Sequence, residues 1–200
     1  PASRVTALLT RCIASLGPAK PVTAEAVREL TVGDREALLL CLRRMTLGER
    51  MACAVSCTGR SCGEKLDLDL RVSDLLLPPY RHQEAVHERV VENGDGSLLV
   101  RFRLPTGADQ EESAALGREN SRAAANLVLE RCLEQVVAKG SVSQPVRHLS
   151  ETFFQALSRL MSELDPQADI RLQLACPACG SLFELPFDVG DYFFRELTSN

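Results

Sequence analysis

Two pairs of cysteines constrain this chain more than any other feature. The first lies in Cys57-Thr58-Gly59-Arg60-Ser61-Cys62-Gly63 and the second, far downstream, in Cys176-Pro177-Ala178-Cys179-Gly180. Together they offer four thiolates, the complement of one tetrahedral zinc ion. Each pair sits between two runs of strand character, 51–56 and 64–72 around the first, 169–175 and 181–187 around the second. This is the layout of a zinc ribbon: two hairpin tips each present two sulfurs, and the glycine after the second cysteine permits a tight left-handed turn. More than a hundred residues separate the pairs, so a metal held by all four closes the chain on itself. The rest of the protein then reads as a helical insert between two β-hairpins.

A site saturated by four sulfurs leaves no position for water or substrate, so the expected zinc is structural. Cys53 is the one nearby competitor, but four residues before Cys57 in an extended strand its sulfur is displaced along the same face. The spacing Cys-Pro-x-Cys-Gly of the second knuckle is the more specific signal, and the first is looser because four residues separate its cysteines. The other cysteines, Cys12, Cys41, Cys53 and Cys132, fall in apolar helical or strand patterns, which suits a reduced, cytoplasmic chain better than a secreted disulfide scaffold.

Catalytic chemistry finds little support. The three histidines, His82, His87 and His148, have no carboxylates at metal-ligand spacing, and Thr58-Gly59-Arg60-Ser61 lacks the Gly-Lys-Ser/Thr ending of a phosphate loop. No serine sits in a nucleophile elbow. The expectation is a protein that is not an enzyme. A formal charge of −4 with no basic cluster lowers the expectation of nucleic-acid binding, and the absence of tryptophan argues against a stacking platform for bases. A zinc-ribbon protein that binds nucleic acid or accompanies transcription is the alternative; it requires a basic patch around Arg60. No run approaches the ~20 apolar residues of a membrane helix, and residues 1–17 do not read as a signal peptide.

The periodicity predicts a chain of 200 residues folded as one α+β domain, a small antiparallel sheet bearing the four-cysteine ribbon and packed with a helical layer. Its parts are N-terminal helices in 1–48, strands with the first knuckle in 49–104, a helical segment in 105–165, and the second knuckle with a C-terminal helix in 166–200. Within the first part, helices are expected over 2–16 and 33–45, the second with Ala37, Leu38, Cys41, Leu42 and Met45 on its apolar face and Thr31 as cap. The alternation Leu66-Asp67-Leu68-Asp69-Leu70 predicts one buried and one acidic face, with the aspartates meeting Arg71, Arg101 or Arg103 across the sheet. Strands are expected over 85–91 and 98–104, joined by Glu92-Asn93-Gly94-Asp95-Gly96. Thr106 or Asp109 should cap the next helix. Helices then follow over 120–137, from Pro145 to Leu164, and over 188–197.

Several runs, in order along the chain, carry a resemblance. They are Leu30-Thr31-Val32-Gly33-Asp34-Arg35-Glu36-Ala37-Leu38-Leu39-Leu40, Cys62-Gly63-Glu64-Lys65-Leu66-Asp67-Leu68, Val100-Arg101-Phe102-Arg103-Leu104-Pro105-Thr106-Gly107, the second knuckle, and Phe187-Asp188-Val189-Gly190-Asp191-Tyr192-Phe193-Phe194-Arg195-Glu196-Leu197. In these the chain resembles the T-even phage baseplate hub assembly chaperones that occur with phage-tail-like extracellular contractile injection systems. The resemblance implies a non-enzymatic assembly factor or minor structural component of a contractile baseplate, with hub or spike proteins as partners. It also maps Cys57, Cys62, Cys176 and Cys179 onto the family's two knuckles. The first knuckle departs from the family pattern in its longer loop, Thr58 to Ser61. A cytoplasmic place, alone or within an assembled contractile particle, follows from the same reading. Partner contacts are expected at Leu77, Tyr80, Tyr192 and Phe194. Phe193 and Phe194 stand about 100° apart on a helix, so one of them is expected to face outward.

Overall fold

The computed structural model describes residues 2–17, 20–79, 84–94, 96–138 and 149–199. The first helices are α1 (Ala2–Cys12), α2 (Ala24–Arg28) and α3 (Val32–Leu47). Thr23 caps α2 by accepting the Ala26 N–H, and Thr31 caps α3 by accepting the Asp34 N–H. Gly48, at a φ of 88°, ends α3. The face of α3 differs from the one its periodicity predicts. Met45 is 83% exposed, whereas Arg35, Leu39, Leu40 and Arg43 are buried. The reason is tertiary, because α3 is packed on several sides, by α1, by the C-terminal helix and by a 3-10 turn at Pro166–Ala168. Its two buried arginines are held by polar contacts: Arg35 donates through its two terminal nitrogens to Thr6 Oγ1 and to the carbonyls of Ala2 and Val27, and Arg43 donates to Glu196 and the Gly48 carbonyl. Cys12, expected on an apolar face, is exposed.

The strands form three separate antiparallel sheets. β1 (Arg50–Ser56) pairs with β2 (Lys65–Arg71), bringing Met51, Cys53 and Val55 opposite Leu70, Leu68 and Leu66. Asp67 and Asp69 point to solvent as the alternation predicts, but Asp69 pairs with Arg50 rather than with a more distant arginine. Arg101 instead meets Glu134, and Arg103 meets Asp109. A short helix, α4 (Val72–Leu75), follows β2. The second sheet has the order β3 (His87–Asn93), β4 (Gly96–Phe102), β5 (Leu133–Ala138).

β5 corrects a helical expectation. The segment 120–137 divides at Cys132 into α6 (Ser121–Cys132) and a strand. Leu133-Glu134-Gln135-Val136-Val137 carries weak helical preference at its valines, and the open side of β4 offers a ladder that an isolated helix end lacks. Before α6 comes α5 (Gly107–Glu119), capped by Thr106 and Asp109 in a capping box. Helix α7 (Glu151–Leu164) begins from a Ser150 cap; the expected start at Pro145 lies outside the described residues. The last elements are β6 (Arg171–Ala175), β7 (Leu182–Pro186) and α8 (Val189–Ser199).

Side chains gather into two main cores. One draws on both ends of the chain: Leu9, Val27, Leu39, Leu40, Met51 and Val72 meet Leu172, Val189 and Phe193. The other belongs to the middle, with Val91, Leu98, Val100 and Phe102 of the three-stranded sheet packed on Phe153, Leu157 and Met161 of α7. A bridge between Thr31 and Thr106 ties the two, with Val32 N–H donating to Pro105 and Gly107 N–H to Leu30. Gly107 is a close approach, because a Cβ there would lie 2.2 Å from an Arg35 guanidinium nitrogen and would have to displace that buried side chain.

Candidate metal centre

The two outer hairpins meet tip to tip. Cys57 follows β1, with its N–H bonded to Glu64 at 2.8 Å, and Cys176 follows β6, with its N–H bonded to Ser181 at 2.9 Å. Each ladder thus extends one pair beyond the strands and fixes the first cysteine of its knuckle on rigid backbone. Gly63 and Gly180, after the second cysteines, hold φ values of 63° and 71°, the left-handed turn the sequence predicts. The longer first loop is closed by one more residue in that region, Ser61 at φ 61°, with the Cys62 N–H bonded to Gly59. This is how four intervening residues still aim two sulfurs at one point.

The sulfurs of Cys57, Cys62, Cys176 and Cys179 all lie within 4.8 Å of one another. Cys57 to Cys179 is 3.7 Å, and Cys62 to Cys176 is 3.7 Å. A tetrahedron with metal–sulfur bonds of about 2.3 Å has edges of about 3.8 Å, so the donors fit a zinc-sized ion. Cys57 and Cys176 are buried, Cys62 is partly covered and Cys179 is exposed. Leu66, Val55, Leu68 and Phe183 pack beside the sulfurs. Cys53 stays outside the cluster, with its thiol pushed up by burial.

Proton chemistry agrees with a cation-binding role. The Ser181 hydroxyl and N–H draw the Cys179 thiol down to about 6. At Cys57 the Gly59 N–H also pulls down, but burial and the neighbouring thiols outweigh it and push the group up to about 12. One thiolate forms readily and opposes the next, until a divalent ion neutralises the set. Gly59, Ser61 and Ser181 are the supporting residues the cysteine pattern does not name. The signal for Ser181 was its place directly after the Cys-Gly turn.

The expected partner residues do not share the centre. Leu77 is exposed on one side of its chain, with its N–H donating to Gln167. Tyr80 lies outside the described residues. Tyr192 is only 6% exposed, and its hydroxyl donates to the Ala52 carbonyl and to Glu196. Phe193 is buried, while the Phe194 ring is half-covered, with the Arg4 guanidinium 4.1 Å from its centroid. Two of the four residues therefore hold α8 and α1 in place within the molecule. His87 is buried against Phe102, and His82 and His148 lie outside the described residues.

The T4 bacteriophage base plate protein family matches residues 4–195, a span that takes in both knuckles, both cores and α8. The chain belongs to that family. No curated protein and no solved structure matches it. For this baseplate-family protein a structural or assembly role in a phage baseplate follows, and with it contact with other baseplate components. Among the described residues, no helix is long and apolar enough to cross a membrane.

Proposed function

We propose that this protein is a non-enzymatic assembly factor of a contractile, phage-tail-like baseplate, acting at the hub or spike, and that its four cysteines hold a structural zinc ion. The observation that carries the reading is the clustering of four sulfurs from two knuckles 114 and 122 residues apart, within a chain whose family match runs nearly end to end. Bound there, zinc would link the hairpins and neutralise the thiolates, with all four positions taken by sulfur. Cys57 and Cys176 would anchor it from the hairpin ladders, and Cys62 and Cys179 would close it from the turns. A rigid, metal-stapled surface suits a protein that presents one shape to its partners during assembly.

Quantitative mass spectrometry of purified contractile particles, beside the soluble assembly intermediates from the same cells, tests the role. Presence only with intermediates is expected for an assembly factor. A fixed ratio in finished particles would make the protein a minor structural component instead, and absence from both would overturn the baseplate role. Metal analysis of the purified protein should return one zinc per chain.

A further inference from the structure

The two edges of the β1–β2 hairpin are built differently. Bonds from Cys57 N–H to Glu64 and from Val72 N–H to Glu49 fix the phase of the ladder, so residues 50, 52, 54 and 56 of β1 and 65, 67, 69 and 71 of β2 turn their N–H and C=O groups away from each other. On β2 those positions are Lys65, Asp67, Asp69 and Arg71, a row of charges that discourages another strand from adding. On β1 one charge, Arg50, stands at the start of the strand and pairs with Asp69, and the rest of the edge is Ala52, Ala54 and Ser56. The Ala52 carbonyl is taken by the Tyr192 hydroxyl at 3.1 Å, whereas the outward groups of Ala54 and Ser56 have no partner among the described residues.

This unguarded edge lines a cleft of about 790 Å³. Its floor is apolar, with Cys53, Val55, Leu172, Leu185 and Phe187, and α8 forms one wall. The carboxylates of Asp188, Asp191 and Glu196 stand on that wall. Asp191 is paired with Arg195 and Glu196 with Arg43, whereas Asp188 has no cationic partner among the described residues. Main-chain donors and acceptors, an apolar floor on one side only, and at one end a carboxylate that accepts the Asp191 N–H but has no cationic partner among the described residues define the ligand.

We propose that the free edge of β1 accepts an extended segment of a partner protein as an added strand, with apolar side chains at alternate positions facing the floor and a lysine or arginine beside Asp188. The mode is β-augmentation, in which backbone bonds give affinity and the alternate side chains give selectivity. It rests on the baseplate-assembly reading for the source of the partner.

The test is amide hydrogen exchange of the full, zinc-loaded protein with and without baseplate assembly intermediates from the same gene cluster. Binding is expected to slow exchange at Ala54 and Ser56 at least ten-fold and to leave Asp67 and Asp69 unchanged. Ala54→Pro removes the outward N–H and should weaken association at least ten-fold, while Asp67→Pro places the same insult on the guarded edge and should not; zinc content reports the folding of both. Binding without protection at Ala54, or equal weakening by the two prolines, would overturn the edge proposal alone. If the wild-type protein binds no intermediate, the assembly reading falls and the added strand with it.

Discussion

At Gly59 a Cβ would lie 3.0 Å from Ser181 Oγ, 3.2 Å from the Cys57 sulfur and 3.3 Å from the Cys179 sulfur, so the loop between the first two cysteines is shaped by single atoms. Gly59→Val should lower metal affinity while leaving the distant core intact, as read by competition with a chromogenic chelator. The titration of one carboxyl is a second consequence at this scale. Burial, and then the charge of Asp188, push Glu36 up to about 7, and its Oε2 is buried without a partner. The folded value lies above the unfolded one of about 4.3, so the stability tied to the protonated acid is fully present below about pH 4 and is lost as the pH rises through about 7. Urea unfolding should show the wild type losing up to about 3 kcal/mol between pH 5 and 8, and Glu36→Gln should flatten that slope.

Among elements, the joint between α5, α6 and β4 depends on one carboxylate. Asp109 is 0% exposed. Burial alone would raise its pKa, but Arg103, the Thr106 N–H and Arg131 outweigh it and hold the group at about 2. Arg103 reaches it at 2.6 Å and Arg131 at 3.0 Å. Its contribution is therefore present above about pH 4 and is lost as the pH falls toward 2. Asp109→Ala takes the carboxylate from Arg103, leaves Arg131 with Glu112 alone and uncaps α5, and should cost about 2–4 kcal/mol by denaturant unfolding at pH 7. The same region shows why local pattern misreads an element: in β5 Leu133, Glu134 and Gln135 suit a helix and Val136 and Val137 a strand, so the choice waits on β4 beside them. The pairing of Leu99 with Val137 and Val100 with Val136 decides the matter.

For the molecule as a whole, the four-cysteine cluster joins the two ends of one core. The chain builds part of that core before residue 76, leaves to form the second core, and returns at residue 170. A bound ion stabilises the folded form by about 4 kcal/mol when free metal is at a thousand times its Kd. Replacing Cys176 and Cys179 by serine should abolish stoichiometric zinc and lower the unfolding midpoint. Stripping the metal with a strong chelator should speed amide exchange in β1, β2, β6 and β7 first, while β4 and α7 keep their protection. An equal loss everywhere would show that the two cores unfold as one unit.

Features that depend on short-range chemistry could be read directly from the residues. Four cysteines of knuckle spacing, glycines where a positive φ is needed, the Thr31 and Thr106 caps, and the alternation of 66–70 were all legible, because each is set by a few adjacent residues. Long-range packing set the rest: the strands divide among three sheets, α3 buries arginines and leaves Met45 in water, 133–138 is a strand, and Tyr192 is buried inside the molecule. Those outcomes depend on what each segment packs against, and neighbours supplied from elsewhere in the chain leave no periodicity in the segment they cover.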